Sequence, residues 1–158
     1  MSSALFTRPE ILMEPQIIKP LHGLAPRAIM GKEWWDYNRK KAYEKNNFHC
    51  FACGIHKNNA KYHQWLEAHE SYSIDFDKKQ YELVEIVALC HVCHNFIHAG
   101  RLQILFEKGE ISKEKYQYVH EYGNTLLELN DLDKSKAWWT EPGVIEKFFP
   151  EKDGTWSE

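Results

Sequence analysis

The sequence predicts one α+β domain with a metal-binding centre. Three observations lead to this prediction: the cysteines fall in two C-x-x-C pairs, the segment between the pairs has strand-like alternation, and helical patterns flank it on both sides. The chain has 158 residues, and 43% of them are apolar, which is enough for one core with arms. A formal net charge of −3 argues against a generally basic nucleic-acid-binding chain, so any such surface must be local.

Residues 1–31 are predicted to form an extended N-terminal arm. Four prolines prevent a long helix there: Pro9, Pro15, Pro20 and Pro26. Short apolar clusters lie between the prolines, for example Ile11-Leu12-Met13. We expect these clusters to pack on the domain, and the alternative is that they pack on a partner chain, including a second copy in a homodimer.

The first fifteen residues do not combine a basic start with a long apolar run, so we expect no secretory signal. No stretch approaches the roughly 18 consecutive apolar residues of a membrane span. The predicted location is therefore the cytoplasm, of a bacterium or of a cell carrying a phage gene, and no membrane partner is expected.

Lys32 to Asn46 is predicted to be a helix with an apolar-to-mixed stripe that includes Trp34 and Ala42. We interpret the tryptophans as core residues rather than as platforms for unpaired bases. The basic side chains of this helix either contact phosphates or form a solvated face, and they are Arg39, Lys40, Lys41 and Lys45.

All four cysteines belong to the two pairs, Cys50 with Cys53 and Cys90 with Cys93. A two-residue spacing lets both thiolates of a pair turn inward on one tight bend, and two bends complete the tetrahedral sulfur shell that Zn²⁺ prefers. Two disulfides are the alternative interpretation. Because nothing indicates secretion, we expect a structural zinc ion in a reducing compartment.

Two strands are predicted between the cysteine pairs. Tyr62 to His69 is the first, and Tyr81 to Leu89 returns after a turn at Asp77–Gln80. The residues between His69 and the turn also alternate, which indicates an elaborated hairpin. This arrangement would put Glu85 close to Glu70.

Histidines form a second candidate metal centre. His94 and His98 are four residues apart and therefore share one helix face, and His69 arrives from the first strand. Three protein ligands leave coordination positions open, which is typical of a catalytic metal rather than a structural one. The alternative is a set of ordinary core or solvated histidines.

The order of these motifs resembles the HNH nucleases of the ββα-metal type, in the branch that is clamped by a four-cysteine zinc site. The resemblance covers about fifty residues and is carried by C-x-x-C, Leu66-Glu67-Ala68-His69 and Leu89-Cys-x-x-Cys-His-x-x-x-His98-x-Gly. It implies a ββα-metal core and an endonuclease that hydrolyses phosphodiester bonds in DNA. It also implies a second divalent ion, Mg²⁺, Mn²⁺, Ni²⁺ or Zn²⁺, bound by His69, His94 and His98.

The sequence departs from the family pattern at two positions. Glu70 stands where the family has the histidine that activates water, and Glu85 stands where it has the asparagine that orients this histidine. A glutamate can accept a proton from water, so the resemblance assigns the catalytic roles to His69, Glu70 and Glu85. The rival prediction is a catalytically inactive, HNH-derived zinc module that binds nucleic acid or a protein partner, for example as a phage or defence-related regulator.

The remaining elements complete a division into arm (1–31), zinc domain with flanking helices (32–130) and C-terminal tail (131–158). A helix is predicted from Cys93 through Phe106, with a break near Gly100, and a further helix from Ser112 to about Asn130. The tail is rich in aromatic and acidic residues. We expect part of it to dock on the domain or on a second copy of the chain.

Overall fold

The computed structural model describes residues 3–14, 30–75, 80–133, 149–150 and 156–157. Within these ranges the fold is α+β, as predicted, with four α-helices and a two-stranded antiparallel sheet. The elements follow the order α1 (Lys32–Lys45), β1 (Glu67–Asp75), β2 (Gln80–Leu89), α2 (His91–Ile97), α3 (Ala99–Glu107) and α4 (Lys113–Leu129). Two-residue strands at Phe149–Pro150 (β3) and Trp156–Ser157 (β4) form a separate pair.

Strands β1 and β2 form one long hairpin that runs from the pair Glu67 and Leu89 to the pair Asp75 and Gln80. The predicted first strand began five residues too early, at Tyr62. The strand begins at Glu67. Tyr62 cannot belong to it, because its backbone is left-handed (φ 71°) rather than extended. The predicted turn lies outside the described residues, apart from Gln80, which opens β2.

The helices agree with the sequence prediction except at one break. Helix α1 ends within one residue of the predicted boundary, and the Ser112 side chain accepts a hydrogen bond from Lys115 N (3.1 Å) at the start of α4. The helix predicted from Cys93 to Phe106 is two helices instead. The break falls at His98 (φ −91°, ψ 47°), two residues before the glycine that was expected to cause it.

The described N-terminal segment, residues 3–14, packs on the domain and contributes two residues to the core. Residues Pro9–Met13 form a 3₁₀ helix in which Ile11 and Leu12 are buried. Asn46, itself fully buried, binds the preceding segment: its Oδ1 accepts from Leu5 N (2.7 Å) and Phe6 N (3.1 Å). Residues 15–29 and the predicted docking of the tail lie outside the described part of the chain.

Helix α2 lies at the centre of the domain, packed against the hairpin and against α4. Its Phe96 and Ile97 are almost completely buried, together with Phe51, Leu12 and Leu89. None of the described helices is long and apolar enough to cross a membrane.

Gly123 allows α4 to approach α2 closely, because a Cβ atom at this position would overlap the ring of Phe96. We predict that Gly123→Ala lowers the free energy of unfolding by about 1–3 kcal/mol, since the added methyl group would force the buried ring of Phe96 to shift. Chemical denaturation measures the change. The control Asn124→Ala alters an exposed neighbour on the same helix and should change stability by less than about 0.5 kcal/mol. Equal stability of the two variants would contradict this close packing.

Candidate metal centres

The first cysteine pair lies on a tight bend directly after α1. Gly54 N donates to Cys50 O (2.9 Å), and Cys50 N donates to Ile55 O (2.8 Å), so the chain reverses within five residues. Gly54 has φ +81°, a conformation that glycine adopts without the usual steric penalty. The bend turns the side chains of Cys50 and Cys53 to the same side.

The second pair lies at the start of α2. Cys90 is the N-cap residue of this helix, and its Sγ accepts from Cys93 N at 3.5 Å. The two bends are held together by the main chain, because Phe51 N donates to Ala88 O (2.8 Å) near the end of β2. Arg8 N donates to Phe51 O (2.7 Å) on the other side, which adds the N-terminal segment to the same network.

The four sulfur atoms converge on one point, as predicted. All lie within 4.8 Å of one another, the cysteines are free thiols, and Cys53 Sγ is 3.8 Å from Cys90 Sγ. Sulfurs at the usual Zn–S distance of about 2.3 Å stand about 3.8 Å apart along a tetrahedron edge. The group can therefore hold a metal ion, and four thiolates in a tetrahedron are a set that zinc commonly uses.

Electrostatics within the sulfur cluster favour a cation. Hydrogen bonds from Cys50, Cys90 and Cys93 lower the pKa of Cys53, whereas the neighbouring thiols and burial raise the pKa of Cys90 and Cys93. Burial and the nearby charge of Cys53 also raise the pKa of Tyr122, so its hydroxyl stays protonated and can donate to that sulfur. A divalent ion would displace the protons that several adjacent thiols cannot otherwise lose.

The three predicted histidines also come together. His69 lies on β1, His94 lies in α2 and His98 follows its last turn, and one ring nitrogen from each lies within 4.8 Å of the others. The ring centroids are 5.4 Å apart for His69 and His94 and 4.8 Å apart for His94 and His98. Burial lowers the pKa of His94, and burial together with His94 lowers the pKa of His98 to about 3. These two imidazoles are neutral at pH 7 and have lone pairs for a cation.

Glu14 is a site residue that the sequence analysis missed. Its Oε2 lies 2.7 Å from His69 Nε2, and its Oε1 accepts a hydrogen bond from Ser71 Oγ. A nitrogen–oxygen separation of this size is that of a charge-assisted hydrogen bond. The only sequence signal was an acidic residue next to a proline in the predicted arm, and nothing local connects it to a strand 55 residues away.

Glu67 is the second missed residue, although it belongs to the Leu-Glu-Ala-His motif. Its Oε1 lies 2.8 Å from His94 Nδ1, and its Oε2 lies 2.7 Å from His91 Nδ1. Burial alone would raise the pKa of Glu67, but the hydrogen bonds from His91 and His94 outweigh it and hold the pKa well below its usual range. The carboxylate therefore fixes the orientation of the His94 ring, as outer-shell carboxylates do for metal-bound histidines.

The structure does not join Glu70 and Glu85 into one catalytic pair. Glu70 pairs with Ile86 and Ser71 pairs with Glu85, so the two glutamates emerge on opposite faces of the hairpin. Glu70 is also on the face opposite to His69, and its Oε2 accepts from Tyr72 OH (3.2 Å).

Glu85 forms ion pairs instead, since its carboxylate contacts Arg8 Nη1 (2.9 Å) and Lys45 Nζ (3.1 Å). Glu85 lies on the returning strand one register position from Glu70, as expected, but strand alternation directs the two side chains to opposite faces.

The predicted basic residues of α1 do not form one uniform patch. Arg39 Nε is 2.9 Å from Asp36 Oδ1, and Lys45 is paired with Glu85. Lys41 lies over the ring of Tyr37 (4.8 Å to its centroid), and Lys40 is exposed. A groove of about 330 Å³ separates α1 from β2, and Lys41 and Lys45 line it. Two of the four cations are thus neutralised by carboxylates of the same chain.

Comparison with models of protein families, with curated proteins and with solved structures gave no match to this chain.

We predict that the sulfur cluster binds one Zn²⁺ ion that the fold needs. Cys93→Ser should remove that ion and lower the free energy of unfolding by about 5 kcal/mol or more, because bound structural zinc contributes directly to folding. The melting temperature should fall by roughly 10–20 °C. Elemental analysis and thermal denaturation measure both effects, and the exposed substitution Glu110→Ser is the control. Four thiols that react with Ellman's reagent in the native chain, without release of metal, would contradict the site.

Proposed function

We propose that this protein is a metal-dependent endonuclease of the HNH type that hydrolyses phosphodiester bonds in DNA. The observation that carries the proposal is the convergence of His69, His94 and His98 from a strand and the helix that follows the hairpin. Three imidazoles leave coordination positions open for substrate and water, which distinguishes this group from the closed shell of four cysteines. The order strand, strand, helix supports a ββα-metal core.

The fold supports this proposal through the rigidity of the helix that carries two of the ligands. Cys90 and Cys93 lie in the first turn of α2, and His94 follows directly. A zinc ion bound by the cysteines would fix the start of this helix relative to the hairpin that carries His69. Glu67 then holds the His94 ring from the side away from the triad (Oε1 to Nδ1, 2.8 Å).

A divalent ion bound by the triad would supply Lewis acidity toward a phosphate oxygen and toward the departing 3′ oxygen. The protein must also provide a group that accepts a proton from the attacking water. Glu14 is the carboxylate that lies against His69 (2.7 Å), and the side chain retains 22% exposure, so water can reach it. We therefore assign the general base to Glu14, in place of Glu70 on the opposite face of the strand.

DNA would approach across the groove between α1 and β2. Lys41 and Lys45 line this groove, and Lys40 is exposed on the same helix. Phosphate contacts of this kind contribute affinity without reading sequence. A reducing compartment such as the cytoplasm would keep the four cysteines available for metal.

A second candidate function is a zinc module without catalytic activity that binds nucleic acid or a protein partner. The observation that favours it is the neutralisation of Arg39 by Asp36 and of Lys45 by Glu85, which reduces the positive potential of α1. The position of Glu70 away from the triad also favours it. The two candidates differ in whether the native chain cuts DNA when a divalent ion is present.

We predict that the native chain nicks supercoiled plasmid DNA in the presence of at least one of Mg²⁺, Mn²⁺, Ni²⁺ and Zn²⁺. His94→Ala should lower the rate at least 100-fold, because it removes a metal ligand while the cysteine cluster remains. Gel electrophoresis of the plasmid measures the rate. His56→Ala is the matched control, since this half-buried histidine belongs to none of the metal-binding groups. No cutting by the native chain with any of these ions would favour the non-catalytic module.

A second prediction separates the two glutamates. Glu14→Gln should lower the nicking rate by about 10²-fold or more, the usual effect of removing a general base. Glu70→Gln should change the rate only a few-fold, because its carboxylate emerges on the other face. The rates are measured at saturating metal, so that a change in metal affinity does not contribute to the difference between the variants. A larger loss of rate in Glu70→Gln than in Glu14→Gln would identify Glu70 as the general base instead.

A further inference from the structure

A third group of metal-ligating side chains lies beside the histidine triad, and two of its members, His63 and His91, have no part in the nuclease proposed above. It consists of His63 from the loop before β1, Glu67 from the first position of β1 and His91 from the first position of α2. One ligand atom from each lies within 4.8 Å of the others. We propose that this group is a separate binding site for a divalent transition-metal ion of the Zn²⁺ class.

The distances within the group are close to, and slightly shorter than, those between ligands of one ion. Glu67 Oε2 lies 2.7 Å from His91 Nδ1 and 3.2 Å from His63 Nδ1. Nitrogen and oxygen ligands at about 2.0–2.1 Å from zinc stand about 3.3 Å apart in a tetrahedron. Small side-chain movements therefore suffice to admit the ion. Two imidazoles and one carboxylate are a donor set that zinc uses when it keeps an open position.

The surrounding residues hold both rings in place. Trp65 stacks on His63, with ring centroids 4.3 Å apart and an interplanar angle of 18°. The His63 and His91 rings are 4.0 Å apart, and the Asn95 amide donates to the main-chain oxygen of His91 (2.7 Å). The side chain of His91 is 12% exposed and that of His63 is 35% exposed. An ion can thus enter from the solvent side while its inner ligand stays fixed.

Glu67 connects this site to the triad. One carboxylate oxygen faces His91 and His63, and the other faces His94 Nδ1 at 2.8 Å. An ion bound to Oε2 would draw electron density from the carboxylate that orients His94. Binding at the third site and binding at the triad are therefore coupled, and the coupling is reciprocal. The third site itself does not depend on whether the triad cleaves DNA.

The experiment counts metal ions on the full chain, with no reference to nuclease activity. Each variant is dialysed against excess Zn²⁺, passed through a desalting column and analysed for zinc and protein. The native chain should retain three equivalents. His63→Ala/His91→Ala and His94→Ala/His98→Ala should each retain two, and the combination of all four substitutions should retain one, on the cysteine cluster.

Two controls keep the count interpretable. His56→Ala should retain all three ions, and Co²⁺ substitution should give the same thiolate charge-transfer band in every variant, which shows that the fold survives. Titration of the His94→Ala/His98→Ala chain with Co²⁺ should show an additional equivalent whose affinity falls at least tenfold when His63 and His91 are also replaced. An unchanged count or affinity after replacement of His63 and His91 would overturn the proposal.

Discussion

Convergence of the four cysteines is the constraint on which the rest of the molecule depends. One pair lies on the bend after α1 and the other caps α2, and the hydrogen bond from Phe51 N to Ala88 O places the two bends side by side. Four adjacent thiols, three of them buried, cannot all ionise without a cation, so an ion that binds them would lock α1, the hairpin and α2 into one arrangement. The position of His94 depends on the cysteine cluster, because His94 directly follows Cys93 in α2.

The histidine region is organised by two carboxylates from different parts of the chain. Glu14 reaches His69 from the N-terminal segment, and Glu67 contacts His91 and His94 from the start of β1. Outer contacts of this kind set ring orientation and tautomer, and their loss typically lowers metal affinity or activity about 10–100-fold. The N-terminal segment, predicted to be an extended arm, is therefore part of the site.

The histidine triad and helix α1 differ in their electrostatics. The half-buried imidazoles of His94 and His98 remain neutral at pH 7 and can attract a cation through their lone pairs. In helix α1, Arg39 is paired with Asp36 and Lys45 with Glu85, which reduces the positive potential of this helix.

Local spacing determined much of this protein without reference to its tertiary structure. The C-x-x-C pairs predicted the sulfur cluster, the spacing of His94 and His98 predicted a shared helix face, the apolar stripe predicted α1 and the Ser112 cap predicted α4, because each depends on residues close together in the sequence. Tertiary structure decided the contacts that join Glu14, Glu67 and Asn46 to residues 24 to 57 positions away. It also separated Glu70 from Glu85, since a strand turns adjacent register positions to opposite faces and the sequence does not reveal the register.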